Sequence, residues 1–129
     1  MKTDIEIRQD IYKVVCNSDI KTTITGEVSY TGRSTDTEDC IISLQDNDNE
    51  QIQEAFVYVN VYVKNITSGG VSKEDVKRTK TLAKLCSEVL DHGVGESFKF
   101  HLAKQRVIAV NGKDEFCISN KLSYNNFNS

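Results

Sequence analysis

Hydrophobic and polar positions alternate most strictly in AFVYVNVYV, residues 55–63. Ala55, Val57, Val59, Val61 and Val63 share one side of a strand, and Phe56, Tyr58, Asn60 and Tyr62 share the other, because successive strand side chains point to opposite faces. An ordinary half-buried strand is apolar inside and polar outside. This one is aliphatic on one side and aromatic on the other, so both sides call for cover. Two covers fit the aromatic side. One is the apolar stripe of an N-terminal helix, which would sandwich the sheet between two helices. The other is a second subunit, since tyrosine brings a large apolar body with a polar tip to interfaces. Asn60, central on that face, favours a partly wet setting.

Helical spacing appears at both sides of this strand. Ile7, Ile11, Val14 and Val15 form one stripe, and Thr3 with Glu6 matches a capping box. A short helical turn follows, with Ser18 as cap, Ile20 and Ile24 on one face and Gly26 as its end. EVSY (27–30) and CIISL (40–44) read as strands, and the latter should pair antiparallel with the strand from about Ile52 to Val63 across the turn QDNDNEQ. NITSGGVS reads as a flexible loop. The main helix is predicted over Lys73–His92, capped by Ser72 and ended by Gly93, with Val76, Thr79, Leu82, Ala83, Cys86, Val89 and Leu90 on one face. The aliphatic valine face is its natural partner.

Phe98, Phe100 and Leu102 alternate in SFKFHLAKQRVIAV, with a register shift expected near Lys104 to Arg106. Asn111-Gly112 signals a hairpin into FCISNKLSY, and NNFNS is left as a polar tail. The sum is a single α+β domain, residues 1–129. It has a mostly antiparallel sheet of about five strands, an N-terminal helix and one long helix packed on it.

Charge narrows the function classes. The chain has 16 Lys and Arg against 19 Asp and Glu, a net charge of −3. That disfavours a binder driven by phosphate neutralisation, and KRTK (77–80) reads as a solvated helix face. No apolar run approaches the ~20 residues of a membrane span, and MKTDIEIRQD lacks a signal-peptide core. The expected compartment is therefore a cytoplasm. There Cys16, Cys40, Cys86 and Cys117, which form no C-x-x-C pair, are expected as buried small hydrophobes. The chain has no proline.

No catalytic constellation emerges. DNDNE (46–50) lacks the glycine at position six of a calcium loop, and Val57 stands where its bidentate Glu belongs. The closest Cys and His are Cys86 and His92, not the tight pair that zinc sites use, and a pairing of Cys40 with His101 has no supporting motif. No phosphate-loop or dinucleotide fingerprint is present, and SGGVSKED reads as a connector. Phe56, Tyr58 and Tyr62 as a base-stacking platform are disfavoured by Glu50 and Glu54 before them and only Lys64 after. Catalytic, cofactor and metal residues are accordingly expected to be absent. The aromatic positions Phe56, Tyr58, Asn60 and Tyr62 are the candidate site.

The order of these pieces resembles the tail-completion, or tail-terminator, proteins of long-tailed bacteriophages. IEIRQDIYKVV is similar to the family's N-terminal amphipathic helix. SDIKTTITGEVSY is similar to its short helix, Gly and strand, and DCIISLQ and EAFVYVNVYVKN to its two central strands. TLAKLCSEVL is similar to its small-residue and leucine helix, and a strand pair closes the chain. The proline often found before the second strand is missing here. The resemblance implies a non-enzymatic phage or prophage structural protein that needs no cofactor. It implies a homo-oligomeric ring, usually of six subunits, at the head-proximal end of the tail. Its partners would be the tail tube protein and head-neck connectors, with no membrane and no sequence-specific nucleic acid. Phe56, Tyr58, Asn60 and Tyr62 would then face a neighbouring subunit or the tube, and polar loops 31–39 and 65–72 would add contacts. A head-completion or neck protein of the same virion and a small dimeric binding module are the alternatives.

Overall fold

The structure, a computed structural model, describes residues 2–33, 35–48 and 53–126. Helix α1 spans Asp4–Cys16. The Thr3 hydroxyl accepts from the Glu6 amide at 3.3 Å and the Glu6 carboxylate accepts from the Thr3 amide at 3.0 Å, closing the expected capping box. Ile7, Ile11 and Val15 are fully buried, while Val14 is half-buried at the rim of the core. Helix α2 is one turn, Asp19–Thr23, capped by the Ser18 hydroxyl. It ends at Thr23, earlier than Gly26. Gly26 serves close approach instead: its amide donates to the Glu38 carbonyl at 3.0 Å, and a Cβ there would collide with the Asp39 carboxylate.

Six strands form the main sheet. In chain order they are β1 (Val28–Ser29), β2 (Cys40–Asp48), β3 (Gln53–Lys64), β6 (His92–Val94), β7 (Phe98–Ala109) and β8 (Glu115–Asn126), arranged β1-β2-β3-β8-β7-β6. Among the described residues, only the β1–β2 pairing is parallel. The β2–β3 and β7–β8 hairpins stand as predicted. The expected register shift in β7 falls between Leu102 and Lys104, and a second lies in β2 between Leu44 and Asp46. The predicted turn QDNDNEQ begins too early, since residues 45–48, including the start of the calcium-loop comparison, belong to β2; residues 49–52, like 127–129, lie outside the described residues. The predicted tail begins too early, since Asn125 and Asn126 still pair with β3 and β7.

Three further expectations are corrected. NITSGGVS is a two-stranded hairpin, β4 (Ile66–Ser68) and β5 (Val71–Lys73), because Gly69 (φ 60°) and Gly70 (φ 78°) supply the left-handed pair that tight hairpins require. Ser72 therefore lies in β5. The main helix α3 is shorter than predicted, Val76–Val89, with Asp75 as cap accepting from the Arg78 amide at 3.1 Å. Gly93 lies in β6, under the Phe100 ring, where a Cβ would not fit.

One face of the sheet carries the main core cluster. Val57, Val59, Val61, Ile118, Leu122 and Tyr124 are fully buried with Ile7, Ile11 and Val15 of α1, Ile20 of α2 and Leu82, Cys86 and Leu90 near α3. Val76, predicted on the apolar face of α3, is exposed at its first turn. The Tyr124 hydroxyl donates to Asp10 of α1 at 2.7 Å, and Gln105 reaches the Ala83 carbonyl of α3 at 2.9 Å. Asn120, buried among the aliphatics, accepts from Gln105 at 2.8 Å and donates to the Val59 carbonyl at 2.9 Å, which satisfies both ends of its amide. Both helices thus pack on the valine side. The sandwich with α1 on the aromatic side is overturned: the valine face is wide enough for α1 and α3 side by side.

Candidate functional site

The aromatic side of β3 is the outer face of the sheet. Phe56, Tyr58, Asn60 and Tyr62 are half-buried there, with no helix above them among the described residues. Register sets their neighbours. Tyr58 lies opposite Lys121 of β8, which lies opposite Lys104 of β7; Asn60, Ser119 and Arg106 form the next row, and Tyr62, Cys117 and Ile108 the one after. Aromatic residues in one strand therefore stand beside basic residues in two others. Tyr58, Ser119, Lys121, Lys104, Arg106 and Ile108 line a shallow concavity of about 450 Å³. Lys104 and Arg106 are exposed, and among the described residues neither has a salt-bridge partner. Charge read along the chain, Glu50 and Glu54 against Lys64, misses this field, which arises from strands more than 40 residues away.

The four candidate residues differ in what they meet. The Lys121 ammonium lies 4.1 Å from the Phe56 ring centroid. The Tyr58 hydroxyl donates to Gln45 at 2.8 Å. Asn60 keeps a buried side-chain oxygen with no hydrogen-bond partner among the described residues, an acceptor in the centre of the face. Tyr62 lies under Arg33, whose guanidinium carbon is 4.3 Å from the ring centroid. With Phe56 and Tyr62 each covered by a cation, the rings are not free stacking planes. The face suits a partner that brings acidic and polar groups over an apolar floor.

Arg33 belongs to the polar loop 31–39, which folds onto the end of this face. It donates to Glu115 at 2.6 Å, to Asp39 at 3.0 Å and to the Thr37 carbonyl at 2.9 Å. Lys64 bonds Asp36 at 2.9 Å and approaches the second oxygen of Glu115 at 3.6 Å. Burial pushes the Asp39 carboxyl up, but the Thr35 hydroxyl, the Glu27 amide and Arg33 outweigh it and hold the group below the usual carboxylate range. Burial likewise works against the charged Arg33, and Glu115 and Asp39 more than offset it. No residue of the loop 31–39 was a sequence candidate in its own right. The signal was the placing of one arginine among acids that only the fold brings together.

The cysteines are unpaired. Cys40, Cys86 and Cys117 are buried, whereas Cys16 is partly exposed, contrary to the expectation of four buried thiols. Burial raises the Cys86 thiol to about 11 and the Cys117 thiol to about 12. Among the described residues no three of His, Cys, Asp and Glu converge as a metal site would. The chain matches no family model, and no curated protein matches it either.

Proposed function

We propose that the chain is a non-enzymatic phage virion protein. In this reading it is the subunit of a ring, with six copies favoured, that caps the head-proximal end of the tail tube and mediates joining to the head. The observation that carries the reading is the uncovered sheet face. Phe56, Tyr58, Asn60 and Tyr62 have no helix above them, and a half-buried aromatic face with an orphaned central acceptor is what a protein partner completes. The resemblance of the sequence segments, in their order, to the tail-completion proteins supports it further. The partners in this reading are other copies, the tail tube protein and the head-neck connectors. Native mass spectrometry across a wide concentration range tests it, together with gold-labelled electron microscopy of tails. A closed ring and label at the head-proximal end are expected. A monomer or strict dimer throughout, with no label on tails, overturns it.

A further inference from the structure

The main sheet has two open edges, and they lie at diagonally opposite corners. At one end, β1 pairs with β2 only at Cys40 and Ile41, leaving the outer edge of residues 42–48 without a strand. At the other end, β6 pairs with β7 only at residues 99–101, leaving the outer edge of residues 104–109 without one. Such an edge presents unpaired amides and carbonyls to any chain that can align with them. The two edges carry opposite charge in sequence: SLQDND at 43–48 and KQRVIA at 104–109.

We propose that a second copy of this chain fills these edges, with β2 of one copy adding antiparallel to β7 of the next. This rests on the self-assembling reading above and gives the ring its contact. The direction follows from topology. Strand β7 runs parallel to β3 and β2 antiparallel to it, so copies stacked in the same sense bring β2 against β7 in the antiparallel sense. The stagger follows from the short strands. Moving the next copy by four residues along the sheet, roughly 13 Å, carries its β1 past the end of β7 and leaves β6 below its β2. Each edge is then engaged only where it is open.

The strand pairings fix what faces what at that stagger. Asp48 is level with Glu54 and Lys104 with Tyr58, four positions apart along β3; Asp46 is level with Phe56 and Arg106 with Asn60, again four apart. The shift therefore sets Asp48 opposite Lys104 and Asp46 opposite Arg106, with Ser43 opposite Ile108. It is an even number, so the outer faces of neighbouring copies stay on one side. The bulge after Leu44 is what brings Asp46 and Asp48 into this register. The contact joins two different patches, so it propagates from copy to copy and closes when the rotation per copy allows.

Charge exchange tests the register. Lys104→Asp with Arg106→Asp should raise the concentration needed for self-association about tenfold or more, since two opposite-charge cross-strand pairs become like-charge pairs. Asp46→Lys with Asp48→Lys should do the same, and the four changes together should restore association. In the unmodified protein, hydrogen exchange should slow in both 42–48 and 104–109 when copies assemble. A ring whose 104–109 amides stay unprotected and whose assembly ignores the exchanges overturns this inference and leaves the ring reading standing. An open-ended chain of copies joined through these edges supports the inference and removes the closed ring. A chain that stays monomeric, with Lys104 and Arg106 only guarding the edge or receiving an acidic strand of another protein, overturns both.

Discussion

Arg33 covers the Tyr62 ring at 4.3 Å and, through the same guanidinium, holds Glu115 at 2.6 Å. One side chain from a polar loop thereby covers the Tyr62 end of the outer sheet face. Glu115 has a fully buried side chain, and that contact is its shortest ion pair. Arg33→Ala should destabilise the chain by about 3 kcal/mol, because it leaves a buried carboxylate without its main partner. Arg33→Lys should recover only part of this, since one ammonium nitrogen replaces the separate Nε, Nη1 and Nη2 that reach Asp39, Glu115 and the Thr37 carbonyl. Urea unfolding followed by circular dichroism measures both.

The same cluster sets the acid limit of stability. The Asp39 carboxyl is held below its ordinary value of 3.8, so its contribution is complete above that pH and is lost as pH falls through the lower folded value. Unfolding free energy should decline on acidification below about pH 4. Asp39→Asn should be less stable at neutral pH and show a shallower decline. Equal slopes for the two proteins would remove Asp39 from the account.

At the alkaline end the buried thiols act. Cys117 is protonated to about 12 in the fold against an ordinary 9, so its neutral form favours the fold below pH 9, and that benefit is lost as pH rises between those values. Stability should fall over this window, and Cys117→Ser should flatten part of the fall. A thiol reagent at neutral pH should modify Cys16 first and reach Cys40, Cys86 and Cys117 at the rate of unfolding.

Arg78 ties α3 to the segment before β2. It makes two bonds to Glu38, each 2.7 Å, and a third to the Thr23 carbonyl at 2.8 Å. Arg78→Ala should cost about 2 to 3 kcal/mol, with Glu38→Gln costing less because the amide can still accept from Arg78 and from the Thr25 amide. Thermal unfolding of the two variants checks the order.

Tyr58 and Tyr62 should separate folding from assembly. Tyr58 makes one exposed hydrogen bond, so Tyr58→Ala should cost the isolated chain under about 1 kcal/mol and weaken self-association severalfold. Tyr62 supports Arg33 and should cost the chain about 1 to 2 kcal/mol. If both destabilise the chain equally and leave association unchanged, they are core residues and the interface assignment fails.

Local patterns were the legible part of this fold. The valine and aromatic alternation gave β3 and its two faces, and Thr3, Glu6 and Ser18 announced the helix starts. What could not be read was set by distant partners. Nothing in Ile7, Ile11 or Val15 says which face of the sheet α1 will cover, because either face is apolar enough. Lys104, Arg106 and Lys121 become neighbours of Tyr58 only through strand order. Gly69-Gly70 was legible in principle as a tight hairpin, but the β4 and β5 segments are three residues each and exposed at every position, so no alternation marked them.

The one-sided core divides the labour of β3 by parity. Odd positions from Val57 to Val63 answer to folding, and even positions from Phe56 to Tyr62 answer mainly to whatever meets the outer face. Selection for a folded chain would therefore police every second residue of this strand, and selection for a working assembly would police the ones between. A single strand can drift toward new partners on one parity without disturbing the fold held by the other.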